Sequence, residues 1–319
     1  MKEEYGYAVA RIRAKETKLL DQGFLDQLLL AADEDACLRL LRDRGWDGSL
    51  DESAMLKGEM KKTRALLLEL VPDELAFEVF FCQNDYHNLK AAVKECACGI
   101  EDEGAYLPDG LISASVIRQA VRDHQWDLLP EGMRQSAQEA LRILLQTKDG
   151  QRTDCLLDRA ALEAVLQAAE RTGDEFFSVY GELTVALADI KIAMRAVRLK
   201  KDRDFLTFAL APCHSLDKEE LIVSALAGEE TMITYLGRTA YASGLPALQK
   251  GVSAFETWGR DLFMQRIRPQ KYQPFGLGPL AAYYLARESE IRAVRLILSA
   301  KRNHLPPQWV RERIGEMYV

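Results

Sequence analysis

Histidine is scarce in this chain: four in 319 residues, His87, His124, His214 and His304, none within a nucleophile motif. Serine or cysteine nucleophiles need a histidine held in place by an orienting acid, so the sequence offers little for that chemistry. In "CHSLDKEE", Cys213 and His214 are adjacent, but neighbouring loop side chains seldom face each other. Ser215 or Asp217 is instead expected to cap a helix there. Neither G-x-x-x-x-G-K-S/T nor G-x-G-x-x-G occurs, so no phosphate cradle is encoded. "FGLGP" (275–279) has the glycines without a strand and helix around them, and reads as a turn or kink. Six cysteines are too few for a disulfide scaffold at this length, and a reduced, cytoplasmic setting is expected. Cys82, His87, Cys96 and Cys98 lie close in sequence. On one helix through 72–98, however, Cys96 and Cys98 would point about 200° apart, and Cys82 falls on the apolar face. No metal site, cofactor or small-molecule substrate is expected.

Long apolar runs are missing too. No stretch of 18 apolar residues occurs, which argues against a membrane span. "MKEEYGYAVARIR" has no apolar core, so no secretory signal is expected. A net charge of −7 argues against nucleic acid as a partner. That charge is unevenly spread: residues 256–319 carry +5 and residues 1–255 carry −12. Such asymmetry fits either two partner surfaces or ordinary solvated helix faces.

What is abundant is helical periodicity. Segments such as "KETKLLDQGFLDQLLLAAD" and "TDCLLDRAALEAVLQAAERTG" are rich in good helix formers, and the second stops at Gly173. Alternating β-branched runs between Asn-Gly turns are lacking, so the fold class is all-α. At this length, two or three domains are expected.

One helix is written more than once. In "PDELAFEVFFCQNDYHNLKAAVK", Pro72 suits a first helical position. Leu75, Val79, Cys82, Tyr86, Leu89 and Val93 then form a 4-3-4-3-4 stripe on one face. Adding 101 gives Phe176, Tyr180, Leu183, Leu187, Ile190 and Met194, in the same phase. Adding 202 places charges at Glu288 and Arg295, and the better third stripe is Leu280, Tyr284, Ile291, Val294 and Leu298. In this register Asn88, Asp189 and Glu290 align, each followed by an aliphatic residue and a base: Lys90, Lys191 and Arg292. A proline-bearing loop and another helical pattern follow each copy, at Pro108, Pro212 and Pro306. A period near 100 is too long for a solenoid. It predicts three similar helical lobes, near 1–106, 107–211 and 212–319, in a pseudo-threefold internal repeat. Glu288 is set to pair with Arg292 at i,i+4, and Arg292 and Arg295 share a face.

The C-terminal stretch resembles the end of the V-type ATPase/ATP synthase C-subunit family, whose eukaryotic members are known as d subunits. The shared elements are Pro274-Phe275-Gly276, Pro279-Leu280, Leu285-Ala286, Glu290-Ile291, Arg295, and Lys301 followed by Leu305-Pro306. The opening is similar to the family's at Tyr5, Tyr7, Ala10, Arg11, Arg13, Leu19 and Leu20, and Asp85, Asn88 and Lys90 match a family Asp-x-x-Asn-x-Lys element. The resemblance implies a funnel-shaped, three-lobed rotor part that catalyses nothing. Its partners would be central-stalk subunits and the membrane proteolipid ring, with proton or sodium transport as the outcome. It would sit at the cytoplasmic side, peripheral to the membrane. Tyr5, Arg11, Arg13, Asp85, Asn88, Lys90, Asp189, Lys191, Glu290, Arg292 and Arg295 are then candidates for an interface or a lobe junction. A helical scaffold for some other partner helix or peptide is the alternative.

Overall fold

The computed structural model describes residues 5–46, 51–71, 73–99 and 102–319, and among these the chain is helical with no strand. Pro72, expected at a helix start, lies outside the described residues. The helices run α1 (Gly6–Glu16), α2 (Gln22–Leu30), α3 (Glu34–Asp43), α4 (Glu52–Leu70), α5 (Glu78–Cys98), α6 (Ala114–Arg122), α7 (Glu131–Thr147) and α8 (Gly150–Arg171). They continue with α9 (Glu175–Arg198), α10 (Arg203–Ala209), α11 (Lys218–Ala227), α12 (Glu229–Leu236), α13 (Leu245–Lys250), α14 (Val252–Ile267), α15 (Gly278–Arg302) and α16 (Pro307–Ile314).

Aspartate starts many of these helices. Asp21, Asp33, Asp51, Asp149, Asp202 and Asp217 each accept a hydrogen bond from the backbone N–H three residues on. Each cap satisfies a donor that the helix leaves open and contributes about 1 kcal/mol. Asp217, rather than Ser215, therefore opens α11. At the other end, Gly173 takes φ 63° just past α8, as its placement in the sequence predicts.

The chain divides into two compact units, Met1–Glu74 with Pro246–Val319, and Leu75–Leu245. The first unit joins both ends of the sequence in one core. Leu25 and Leu28 of α2, Leu41 of α3 and Met55 of α4 pack with Val294, Ile297 and Leu298 of α15 and with Val310 of α16. The second unit has its own core, in which Leu89 and Val93 of α5 meet Ile117 and Val121 of α6, Leu141 of α7 and Leu157 of α8. Helices α8 and α9 cross closely because Gly181 lacks a side chain. A Cβ there would lie 2.7 Å from that of Ala169.

The stripe prediction holds along most of its length. Val79, Cys82, Tyr86, Leu89 and Val93 are buried, and so are Leu183, Leu187, Ile190 and Met194. All five residues of the third stripe are buried as well. It fails at the N-terminal ends. Leu75 is 65% exposed because a 3-10 turn over Glu74–Phe77 precedes α5, so the helical phase does not reach it. Phe176 and Tyr180 are half-buried, and Phe177 fills the interior instead.

Candidate functional site

Each long helix of the repeat carries a buried polar residue at the aligned position, and each such residue grips the backbone of another segment. On α5, Asn88 is fully buried. Its Oδ1 accepts from the N–H of Leu107 at 2.7 Å, and its Nδ2 donates to the Leu107 carbonyl at 2.9 Å. One turn earlier, Asp85 accepts from the N–H groups of Leu111 (3.2 Å) and Ile112 (3.0 Å). The loop can come this close because residue 110 is glycine: a Cβ there would fall 2.2 Å from Asp85 Oδ1. Asn84 adds a bond to the Asp109 carbonyl and His87 one to the Ala105 carbonyl. The polar letters of "NDYHN" thus stitch the 105–112 loop onto α5, replacing the water its backbone would otherwise need.

On α9 the aligned residue is Asp189, which is buried and accepts from the N–H of Ala211 at 3.2 Å. Burial pushes its carboxyl up to about 7, against the Ala211 hydrogen bond and the charge of Lys218. Lys218 is turned to the same segment, donating to the carbonyls of Thr207 (3.0 Å) and Leu210 (2.7 Å). Glu182 holds the segment's other end, accepting from the Ser215 N–H at 2.6 Å.

On α15 the residue is Glu290, 1% exposed, and its partner comes from the other end of the sequence: Oε1 accepts from the N–H of Leu20. Its second oxygen accepts from Nη1 of Arg287, whose Nη2 donates to Glu59 on α4 at 2.7 Å. Arg287 also lies 5.0 Å over the ring of Trp46. Burial pushes the Glu290 carboxyl up to about 7, while Arg287 and the Leu20 N–H oppose the shift. One arginine therefore serves two buried carboxylates and joins α4 to α15.

A proline-bearing loop follows each of the three helices in the sequence, and it supplies the clamped backbone in two of them. Leu107 and Ala211 lie in the loops after α5 and α9, whereas the residue clamped by Glu290 of α15 is Leu20. A signal was available. Leu20 stands just before the N-cap of α2 (Asp21), as Ile112, held by Asp85, stands just before that of α6 (Ser113). Arg287, Glu59 and Trp46 were missed altogether, although Arg287 and Glu290 stand three apart on one helix face.

The remaining candidates are dispersed rather than gathered. Lys90 pairs with Asp158 at 2.5 Å, and Lys94 donates to Asp154 at 2.9 Å, an i,i+4 match between α5 and α8. Arg292 meets Glu288 at 3.1 Å, as the spacing predicts, and Arg295 is exposed nearby. Lys191 is half-buried on α9. Tyr5 precedes α1 with φ 75°. Arg11 grips Glu69 of α4 through both terminal guanidinium nitrogens, Nη1 and Nη2, at 2.5 and 3.1 Å. Arg13 donates to the carbonyls of Gln270 (2.5 Å) and Gln273 (2.9 Å) ahead of α15. Cys82, His87, Cys96 and Cys98 all lie on α5, with Cys82 buried and Cys98 exposed.

The chain belongs to the ATP synthase (C/AC39) subunit family, whose profile matches residues 8–313. It is 24% identical to the C subunit of the V-type sodium ATPase of Enterococcus hirae, over 99% of each chain. It is 27% identical to the C subunit of the V-type ATP synthase of Thermus thermophilus, over 98% of this chain and 99% of that one. A further relative is the C subunit of the A-type ATP synthase of Methanocaldococcus jannaschii, 24% identical over 96% of this chain and 85% of that one. The protein is accordingly a non-catalytic accessory subunit of a V/A-type rotary ATPase. Among the described residues, no helix is long and apolar enough to cross a membrane.

Proposed function

We propose that this protein is a central-rotor adaptor, linking the central stalk to the membrane ion-carrying ring and passing rotation between them during ATP-coupled transport of protons or sodium ions. It works at the cytoplasmic side, peripheral to the membrane through protein contacts. The observation that carries this reading is the set of buried polar clamps on α5, α9 and α15. A part that transmits torque has to resist shear between its helices. Close packing supplies some of that stiffness, and directional hydrogen bonds to remote backbone add to it. Each long helix with the segment it clamps would be one copy of a repeating lobe, the third closed by residue 20. Six of the candidate residues then fall into two groups. Asp85, Asn88, Asp189 and Glu290 hold lobes together, while Arg292 and Arg295 remain on the surface for partners.

Co-expression with the other subunits of its complex tests the reading. Affinity purification through a tag on this chain should recover both stalk and ring subunits. Recovery of neither, when those subunits are folded and associate with each other, would remove the proposal.

A further inference from the structure

The first unit contains a cleft of about 460 Å³, bounded by α1, α4 and α15 and by the residues that follow α3. Its wall is a bank of cations. Arg11, Lys15 and Lys18 recur at helical spacing along α1 and just past its end, Arg44 follows α3, and Lys62 stands on α4. Two carboxylates lie within it, and both are engaged. Glu69 holds Arg11, and Glu59 holds Lys62 at 2.8 Å and Arg287 at 2.7 Å. Lys15, Lys18 and Arg44 are exposed, and no carboxylate forms an ion pair with any of the three among the described residues. Arg44 lies over the face of Phe24, at 4.5 Å.

Such a bank is unexpected in residues 1–255, which carry a net −12. Like charges held around one opening repel each other and work against the compact state. Among the described residues, no further acid relieves them. We infer that this cleft is a docking site for an acidic protein segment, with side-chain carboxylates spaced to meet Lys15, Lys18 and Arg44. The inference concerns a surface of this chain alone and does not depend on the rotor reading.

Carboxylates fit better than phosphate. Phosphate sites draw backbone N–H groups or arginine forks onto one point. Here Lys15 and Lys18 lie at the C-terminal end of α1, where the helix presents carbonyls rather than N–H groups. The cations are spread along a rim, as separate point charges. Arg11 already shows the chemistry in question, gripping the Glu69 carboxylate through two bonds. The floor, with Trp46 and Tyr283 almost wholly buried, leaves little apolar surface to bind a ring.

The probe is a fluorescein-labelled octaglutamate peptide titrated with the full chain at about 20 mM salt, where exposed charges are least screened. Binding is expected, with affinity falling as salt rises. The octaglutamine peptide should not bind. Lys15→Glu with Lys18→Glu should weaken binding by about tenfold, since charge reversal at a rim slows association and disfavours the complex. Lys15→Gln with Lys18→Gln should give a smaller loss in the same direction and keeps the test decisive if the reversal impairs folding. Lys200→Glu with Lys201→Glu, in the second unit, should leave the affinity unchanged. Equal loss in both variants would mean general attraction and overturn the site, as would no binding to octaglutamate. Tripolyphosphate that binds the cleft while octaglutamate does not would overturn the ligand class.

Discussion

The clamps of α5 and α15 do the same job with opposite chemistry. Asn88 is neutral and exchanges two hydrogen bonds with one residue of a nearby loop, so its polar ends are satisfied at no electrostatic cost. Glu290 holds a backbone N–H supplied by the start of the chain and needs Arg287 beside it, which in turn holds Glu59. Asp189 stands between them, a buried carboxyl with one backbone donor and only a distant lysine. The aligned position is buried and polar on all three helices, while each settles the electrostatics in its own way. A buried ion pair is weak evidence of stability compared with an apolar substitute, but breaking one is expensive because it strands the partner. The third clamp should therefore be the most fragile to substitution and the first the most tolerant of pH.

The largest effect is expected at Arg287. Arg287→Ala leaves Glu290 buried without its cation and Glu59 with Lys62 alone, and should cost about 3–5 kcal/mol in urea unfolding. Arg287→Ala combined with Glu59→Gln and Glu290→Gln should recover much of that loss, which distinguishes stranded charge from lost packing. Next is Asn88→Ala, which orphans the N–H and carbonyl of Leu107 and should cost about 1–3 kcal/mol. Faster hydrogen exchange confined to residues 105–112 would show that the loop has been released.

Asp189→Asn should move the other way. Burial raises this carboxyl to about 7, so between about pH 4 and 7 the folded chain keeps a proton that the unfolded chain has lost. The stability contributed by this group is complete below pH 4 and declines as pH rises through 7. Lys218 and Glu163 are the charged groups acting on it, with opposite signs. Asparagine can still accept from Ala211 and carries no charge, as Asn88 already illustrates in the first copy. The variant should gain about 1–2 kcal/mol at pH 8 and lose most of the slope between pH 4 and 7. An unchanged slope would mean that Asp189 does not titrate as its burial requires. The smallest effect belongs to Lys90→Ala at the exposed pair with Asp158. It should cost less than about 1 kcal/mol and shrink further in salt.

The all-helical class, a cap at Ser215 or Asp217 (Asp217 in the structure), the end at Gly173 and most of the three stripes were legible in the sequence. Each is local: a cap needs three residues and a stripe needs one helix face. The Glu288–Arg292 pair was legible for the same reason. What escaped was long-range. Arg287 meets Glu59 across 228 positions, and Leu20 meets Glu290 across 270, and no periodicity carries such a pairing. Leu75 was misplaced because a 3-10 turn has a different phase from the α-helix it precedes. Asp85 was recognised as part of a family mark, but its role depends on Gly110, whose missing Cβ says nothing until the loop is seen folded against α5.

The central claim is that these clamps make a stiff, non-catalytic coupling part. It is tested most directly by the ratio of ions pumped to ATP hydrolysed in complex reconstituted in vesicles. With this protein present, hydrolysis and pumping should be linked. With the Arg287→Ala variant incorporated to the same level, hydrolysis should continue while the ratio falls, and the charge-balanced triple variant should restore it. Pumping at the full ratio in complex from which the protein has been left out would contradict the account.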